Sequence, residues 1–182
     1  MSASKLPAMT ADEFLAWAME QPEGAHHELQ DGAVVSMAPE RSIHALTKLR
    51  IAFLLSQSIA AAGLECTVYP DGMAVRIDAS TVLQPDAMLR CGPPLPDDAV
   101  VVTDPMVVVE VLSPSSGTQD RHDKLLAYFS LPAIRHYLIV DAQRRVAIHH
   151  ARDEAGIIIT RIIHDSAVTL DPPGIVIADL FG

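Results

Sequence analysis

The chain has 182 residues and a formal net charge of −10, with 49% hydrophobic and 20% charged residues. This balance is typical of a folded protein and excludes an intrinsically disordered chain. The length suits a single domain, spanning 1–182, with a sizeable core. The acidic charge is unusual for a protein that grips a long nucleic-acid backbone through a broad basic surface.

The N-terminal residues lack the apolar core of a signal peptide. The longest apolar stretch, IAFLLSQSIAAAGL, is shorter than a membrane span and is interrupted by serine and glutamine. We therefore expect a soluble cytoplasmic protein that does not enter membranes. Cys66 and Cys91 form neither a CxxC pair nor a disulfide framework, so we predict two buried free thiols.

The first half of the chain has clear helix and hairpin signals. Thr10 and Glu13 have the spacing of a capping box at the start of a short helix. The segment HHELQDGAVVSMAP predicts a β-hairpin, with its turn at the Asp-Gly pair. Apolar residues at helical spacing then predict the longest helix, from Ser42 to about Ala62, with Gly63 as its end.

The second half alternates β-rich segments with one helix. Short strands are predicted in CTVYP, MAVRI, TVLQPDAMLR and PMVVVEVLS, and a helix from about Gly117 to Ser130, with Ser116 as its cap. RHYLIVD and RVAIHHA predict another hairpin, and GIIITRIIH a further strand. We interpret His149 and His150 as surface histidines, because neighbours on a strand face opposite sides and cannot easily chelate one ion. The order of elements predicts an α/β (α+β) fold, a mixed β-sheet flanked by helices.

Two acidic residues stand in otherwise apolar strand segments. Asp86 follows Pro85, and Glu110 lies inside VVVEV, 24 residues later. If the two strands are neighbours, both carboxylates point to one face, where they repel each other unless a cation or a proton lies between them. Carboxylates of this kind suit Mg²⁺ or Mn²⁺. The alternative is that Asp86 is a turn residue and Glu110 pairs with an arginine.

One face of the second predicted helix carries Asp120, Lys124 and Tyr128, at spacing i, i+4, i+8. This helix starts shortly after the strand of Glu110 ends, so the long side chain of Lys124 can reach the carboxylate pair. The alternative is a surface salt bridge between Asp120 and Lys124, which contributes little.

Five segments together carry a resemblance to a known family. HELQDGAVVSMAP, SIHALTKL, PDAML, VVEVLSPSSGTQDRHDKLLAYFS and HYLIVD resemble the Uma-two family of restriction-endonuclease-like proteins, in the PD-(D/E)XK nuclease superfamily, from about Thr10 to Phe181. The resemblance implies a restriction-endonuclease-like core and metal-dependent hydrolysis of nucleic acid, with DNA as the expected substrate. It also suggests a homodimer, because many enzymes of this fold pair two subunits to cut both strands.

The resemblance assigns the central residues one by one. Asp86 matches the PD aspartate and Glu110 the second acid, and both are expected to bind the metal together with the backbone carbonyl of Val111. The superfamily pattern places a lysine where this chain has Leu112. The Uma-two pattern instead places a lysine in the following helix, and we infer that Lys124 is the migrated substitute.

Further residues are assigned by the same resemblance or by position. Glu28 matches the acid of the family's ELxDG hairpin and is a candidate third acid, with an exposed hairpin glutamate as the alternative. His44 is expected to line the site, with a helix-capping or surface role as the alternative. Gln84 is expected to help hold the substrate, Asp120 to partner the lysine, and Tyr128 to brace the lysine or contact a phosphate.

Three functions remain open on this basis. The first is a metal-dependent endonuclease or phosphodiesterase. The second is a non-catalytic binding or regulatory module that keeps the fold with a decayed site. The third is a metal-dependent hydrolase acting on something other than DNA. Five cations, Arg41, Lys48, Arg50, Arg121 and Lys124, are predicted to form a small positive rim around the site.

Overall fold

The computed structural model describes residues 8–22, 24–113, 118–164 and 167–182, without the side chains of 118–120. The described helices are α1 (Ala11–Met19), α2 (Ser42–Ala62) and α3 (Thr118–Ser130). The described strands are β1 (His27–Gln30), β2 (Ala33–Ser36), β3 (Cys66–Pro70), β4 (Val75–Arg76), β5 (Val82–Leu83), β6 (Ala87–Cys91), β7 (Val107–Val111), β8 (His136–Asp141), β9 (Val146–Arg152), β10 (Ile158–His164), β11 (Val168–Leu170) and β12 (Ile175–Ile177).

Six strands form the central sheet, in the order β10-β9-β8-β7-β6-β3. β7 and β8 run parallel, and the other neighbours run antiparallel. Helix α3 lies between β7 and β8 in the chain, as a parallel pair requires a crossover. A second sheet has the order β2-β1-β5-β4, and β11 pairs with β12. The predicted mixed sheet flanked by helices is confirmed.

The alternation along β7 decides which way its acid points. Val107, Val109 and Val111 belong to the core cluster shared with α2. Val108 belongs to the cluster shared with α3. Because successive side chains of a strand point to opposite faces, Glu110 faces the side of α3.

Helix α2 is the longest described helix, and Gly63 ends it in the left-handed conformation, at φ 64°. Its buried face carries Ile51, Leu55 and Ile59 against the central sheet. The helix is longer than the apolar stretch considered in the sequence. By length and composition alone it could cross a membrane. Of its most apolar 18-residue window, 22% is buried inside the protein.

The local signals of the first half are confirmed. Thr10 and Glu13 form the capping box of α1, and Asp31 and Gly32 turn the β1–β2 hairpin with φ values of 49° and 79°. The segment TVLQPDAMLR is two strands rather than one, because β5 ends at Leu83 and β6 begins at Ala87. The predicted cap Ser116 lies outside the described residues.

The prediction of two free thiols is wrong, because Cys66 and Cys91 form a disulfide. They are direct partners in the antiparallel β3–β6 pair, a register that the sequence spacing does not reveal.

The prediction of surface histidines at the end of β9 is also wrong. His149 is 3% exposed and lies 2.9 Å from the ring nitrogen of His136, whose other nitrogen donates to the carbonyl of Pro172 at 2.8 Å. His150 is buried against Thr160, at 2.8 Å. The chain after β10 covers this end of the sheet, and strand alternation alone does not predict such a cover.

Candidate active site

A cleft of about 1100 Å³ lies between the β1–β2 hairpin, the start of α2, the end of β7 and helix α3. Most of the residues singled out in the sequence line it together. They are Glu28, His44, Gln84, Asp86, Glu110, Val111 and Lys124. Separate segments of the chain therefore meet in one place.

Asp86 lies directly before β6, next to the end of β7. The register that pairs Ala87 with Val109 brings it beside Glu110. The N–H of Val111 donates to Asp86 Oδ2 at 2.6 Å, and His44 Nε2 lies 3.7 Å from the same oxygen. Burial raises the pKa of Asp86 above its usual value, although the Val111 N–H opposes this shift.

Glu110 is held by two donors from α3. Its Oε1 accepts from the hydroxyl of Tyr128 at 2.7 Å and from Lys124 Nζ at 3.1 Å. The alternative pairing with an arginine is therefore wrong. Burial raises the pKa of Glu110 to about 7, with Lys124 opposing the shift and the charges of Glu28 and Asp86 adding to it. A further cation nearby would favour the charged carboxylate.

Lys124 reaches the carboxylates as expected from its helix position. Its Nζ lies 2.9 Å from Glu28 Oε1 and 3.1 Å from Glu110 Oε1, and the residue is 7% exposed. A surface salt bridge is therefore the wrong description of Lys124, and the side chain of Asp120 lies outside the described residues. Leu112, at the superfamily's lysine position, packs in the cluster shared with α3.

Glu28 is buried, with 1% exposure, so the alternative of an exposed hairpin glutamate is wrong. Its Oε1 accepts from the backbone N–H of Gln84 at 3.1 Å, and its Oε2 accepts from the Gln30 side chain at 2.9 Å. The side-chain Oε1 of Gln84 is buried and has no hydrogen-bond partner among the described residues. Tyr128 is fully buried, and its described side-chain hydrogen bond goes to Glu110.

His44 binds the backbone carbonyl that was predicted as a metal ligand. Its Nε2 lies 2.8 Å from the carbonyl oxygen of Val111, and because a carbonyl only accepts, Nε2 carries the hydrogen. In the neutral ring, Nδ1 then carries a lone pair and no hydrogen, so it can only accept. That atom is buried and has no hydrogen-bond partner within the described part of the chain, and Glu40 Oε2 lies 3.4 Å away. A proton on Nδ1, or a metal cation between the two atoms, would satisfy both.

Sequence reasoning missed the role of Lys48 and two of its partners. Lys48 is 8% exposed and forms ion pairs with Glu40, with Asp71 at 2.6 Å and with Asp86 at 3.5 Å. Burial alone would lower the pKa of Lys48, but hydrogen bonds to Asp71 and Glu40 raise it. Glu40, His44 and Lys48 have the spacing i, i+4, i+8, which could have revealed a shared face. Asp71 gives no such signal.

The predicted positive rim is therefore largely wrong. Lys48 and Lys124 are buried among carboxylates, and Arg50 pairs with Asp179 at 2.9 Å. Arg41 is exposed and lines the cleft. Neighbouring carboxylates neutralise the charges of Lys48 and Lys124, so the described cleft offers a substrate little positive surface.

The donor atoms of the site fit a divalent cation. One ligand atom each from Glu40, His44 and Asp86 lie within 4.8 Å of one another. Counting Glu28, Asp71 and Glu110 as well, the described carboxylates outnumber the two lysine ammoniums of the cleft. Carboxylate oxygens are the ligands that hard divalent cations prefer.

The fold matches a solved nuclease-type structure along nearly its full length. The crystal structure of "a putative nuclease belonging to DUF820" from Anabaena variabilis superposes with a TM-score of 0.74 at 15% identity, covering 95% of this chain and 97% of that one. The fold is thus the restriction-endonuclease-like class that the sequence predicted.

A family model described as "Uma2: Putative restriction endonuclease" matches residues 11–177, and the chain belongs to this family. The uncharacterized protein slr1290 of Synechocystis sp. is 27% identical over 154 residues, which cover 84% of this chain and 79% of that protein.

Proposed function

We propose that this protein is a divalent-cation-dependent endonuclease that hydrolyses phosphodiester bonds of DNA. The main support for the proposal is that Asp86, Glu110 and Lys124 lie together in one cleft. Two carboxylates from neighbouring strands and an ammonium from α3 are the groups that such a reaction uses. The family description and the solved neighbour support the nuclease class.

Asp86 and Glu110 would hold the cation, with the carbonyl of Val111 as a further oxygen ligand, and Mg²⁺ or Mn²⁺ fits these donors. When bound, such a cation lowers the pKa of a water molecule and neutralises charge that develops on the scissile phosphate. His44 fixes the direction of the Val111 carbonyl, and the Val111 N–H fixes one oxygen of Asp86.

The remaining residues hold these groups in place. Lys124 supplies a positive charge beside Glu110, where it stabilises negative charge developing on the phosphate oxygens. Glu28 holds the ammonium at 2.9 Å, and Gln30 in turn binds Glu28. Tyr128 orients the Glu110 carboxylate through its hydroxyl. Each charged group is therefore positioned by a neighbour before substrate arrives.

The substrate would contact residues at the rim of the cleft. Arg41 offers an exposed guanidinium for a backbone phosphate, whereas the side-chain Oε1 of Gln84 is buried and is not open to substrate. With so few cations, the protein would contact only a short stretch of nucleic acid around the scissile bond.

The test is nicking of supercoiled plasmid in Mg²⁺, in Mn²⁺ and in EDTA. We expect cleavage with a divalent cation by the wild type, and loss of about 100-fold or more in Glu110→Gln and Asp86→Asn. Glu154→Gln removes an exposed acid from the turn between β9 and β10 and is the matched control. A wild type that binds metal but cleaves neither DNA nor RNA, or a Glu110→Gln variant with full activity, would contradict the proposal.

A further inference from the structure

Three carboxylates from separate parts of the chain converge on the ammonium of Lys48. Glu40 precedes α2, Asp71 follows β3, and Asp86 precedes β6. Asp71 Oδ2 and Asp86 Oδ1 lie 2.6 Å and 3.5 Å from Nζ, and Glu40 is also in direct contact. The side chain of Lys48 is 9% exposed, while its partners Glu40 and Asp71 are 35% and 27% exposed, so the ammonium is buried at the edge of the cleft.

The number of N–H donors on the Lys48 ammonium equals the number of carboxylates described around it. Lysine offers three N–H donors and no acceptor, and three carboxylates surround it. Carboxylates at this separation repel one another unless a cation lies between them. Lys48 therefore neutralises part of a charge cluster that could not persist without a cation.

The same cluster has the ligands of a divalent cation. Glu40 and Asp86, two of the partners of Lys48, form with His44 the group whose ligand atoms lie within 4.8 Å of one another. The Nδ1 of His44 is buried 3.4 Å from Glu40 Oε2, and no described residue hydrogen-bonds to it. The ammonium and a divalent cation would thus use the same carboxylates, and the β6–β7 register also places Asp86 opposite Glu110.

We propose that the ammonium of Lys48 takes the place of a second divalent ion next to Asp86, at the group formed by Glu40, His44 and Asp86. The site would then bind one divalent ion rather than two. The inference rests on the proposed function, which places the first ion between Asp86 and Glu110. In sites with two metal ions, the two ions together stabilise the attacking and the leaving oxygen at the scissile phosphate. In this chain one of the two charges would come from the lysine.

Counting bound Mn²⁺ tests this inference without measuring activity. We expect one Mn²⁺ per wild-type chain by equilibrium dialysis and calorimetry. Lys48→Met removes the charge but keeps an unbranched side chain, and it should bind one ion more than the wild type. Adding Glu40→Gln to Lys48→Met should remove that extra ion. Arg76→Met, which breaks an exposed ion pair with Asp12, is the matched control and should keep the wild-type count.

The outcomes separate this inference from the proposed function. A wild type that binds two ions, or a folded Lys48→Met variant that gains none, overturns it. A wild type that binds none, with Lys48→Met binding one, supports the role of Lys48 and contradicts the nuclease site at Glu110. If Lys48→Met is unfolded without metal, Mn²⁺ should restore its folded circular dichroism spectrum, and failure to do so at any Mn²⁺ concentration also overturns the inference.

Discussion

The ammonium of Lys124 lies 3.1 Å from the carboxylate of Glu110, although the two residues are fourteen positions apart in the chain. We expect Lys124→Met to lower the single-turnover rate of DNA cleavage by about 100- to 1000-fold, because it removes a charge placed to stabilise the transition state. It should also lower the free energy of unfolding by about 3 kcal/mol, because it leaves two buried carboxylates without their cation. Cleavage is measured under conditions where urea titration shows the variant folded. A folded Lys124→Met variant with the wild-type rate would remove the lysine from the mechanism.

Tyr128 donates to Glu110 at 2.7 Å from a fully buried position. Tyr128→Phe should cost about 2 kcal/mol of unfolding free energy, because a hydrogen bond to a charged group is lost. That hydrogen bond lowers the pKa of Glu110, so the variant should also shift the pH midpoint of Mn²⁺ binding upward. Tyr69→Phe, on β3 outside the cleft, is the control and should change neither quantity. An unchanged midpoint in Tyr128→Phe would mean that the hydroxyl does not tune Glu110.

Glu110 should make the stability of the metal-free protein depend on pH. Its pKa is raised from 4.5 to about 7 in the folded state, mainly by burial. The folded state then binds the proton more tightly than the unfolded state, so this contribution to stability is complete below pH 4.5 and is lost as the pH rises to about 7. The total is about 3 kcal/mol.

The measurement is urea unfolding in EDTA at pH 5, 6, 7 and 8. The difference in unfolding free energy between wild type and Glu110→Gln should fall across this range, because glutamine cannot titrate. A difference that stays constant with pH would show that Glu110 has an ordinary pKa. Divalent cations favour the charged carboxylate, so Mn²⁺ affinity should rise with pH up to about 7.

Arg41 is an exposed cation that lines the cleft. Arg41→Ala should raise the KM for DNA while changing kcat little, since the guanidinium contacts substrate away from the reacting atoms. The slope of log affinity against log salt should decrease by about 1, as for the loss of one phosphate contact. Arg144→Ala, an exposed cation paired with Asp141, is the control. An unchanged salt slope in Arg41→Ala would place the DNA elsewhere.

The disulfide between Cys66 and Cys91 joins residues 25 positions apart. Reduction, or the double change to serine, should lower the free energy of unfolding by about 3 kcal/mol, because a loop of this length loses its covalent closure. Thiol titration of the denatured, unreduced protein should find no free thiol. Two reactive thiols would instead restore the prediction made from the sequence.

The sequence predicted the elements whose signals are local. The apolar run of β7 identified a buried strand and made the acid Glu110 within it exceptional, and the short connection to α3 placed Lys124 within reach. The capping box of Thr10 and the turn at Asp31 are local in the same sense. Each of these features depends on residues close together in the chain, so their geometry follows from the periods of helices and strands.

The missed features depend on tertiary structure. Lys48 looks like one of several cations at the start of a helix, and only the folded chain brings Asp71 and Asp86 to it. Cys66 and Cys91 meet because of the β3–β6 register, which a one-residue slip would change. Whether an ion pair is buried or exposed also depends on what covers it, which spacing alone does not reveal.

Under the proposed function, Lys124 of α3 takes the place of the lysine that the superfamily pattern puts two residues after the acid. Residue 112 can be a leucine that packs in the core, since it no longer carries the charge. The distance between Lys124 and Glu110 then depends on how α3 docks against the sheet, through residues such as Leu125 and Phe129. Substitutions in that interface would therefore change the distance between Lys124 and Glu110. If the proposed function holds, the packing of α3 would then also affect the rate of cleavage.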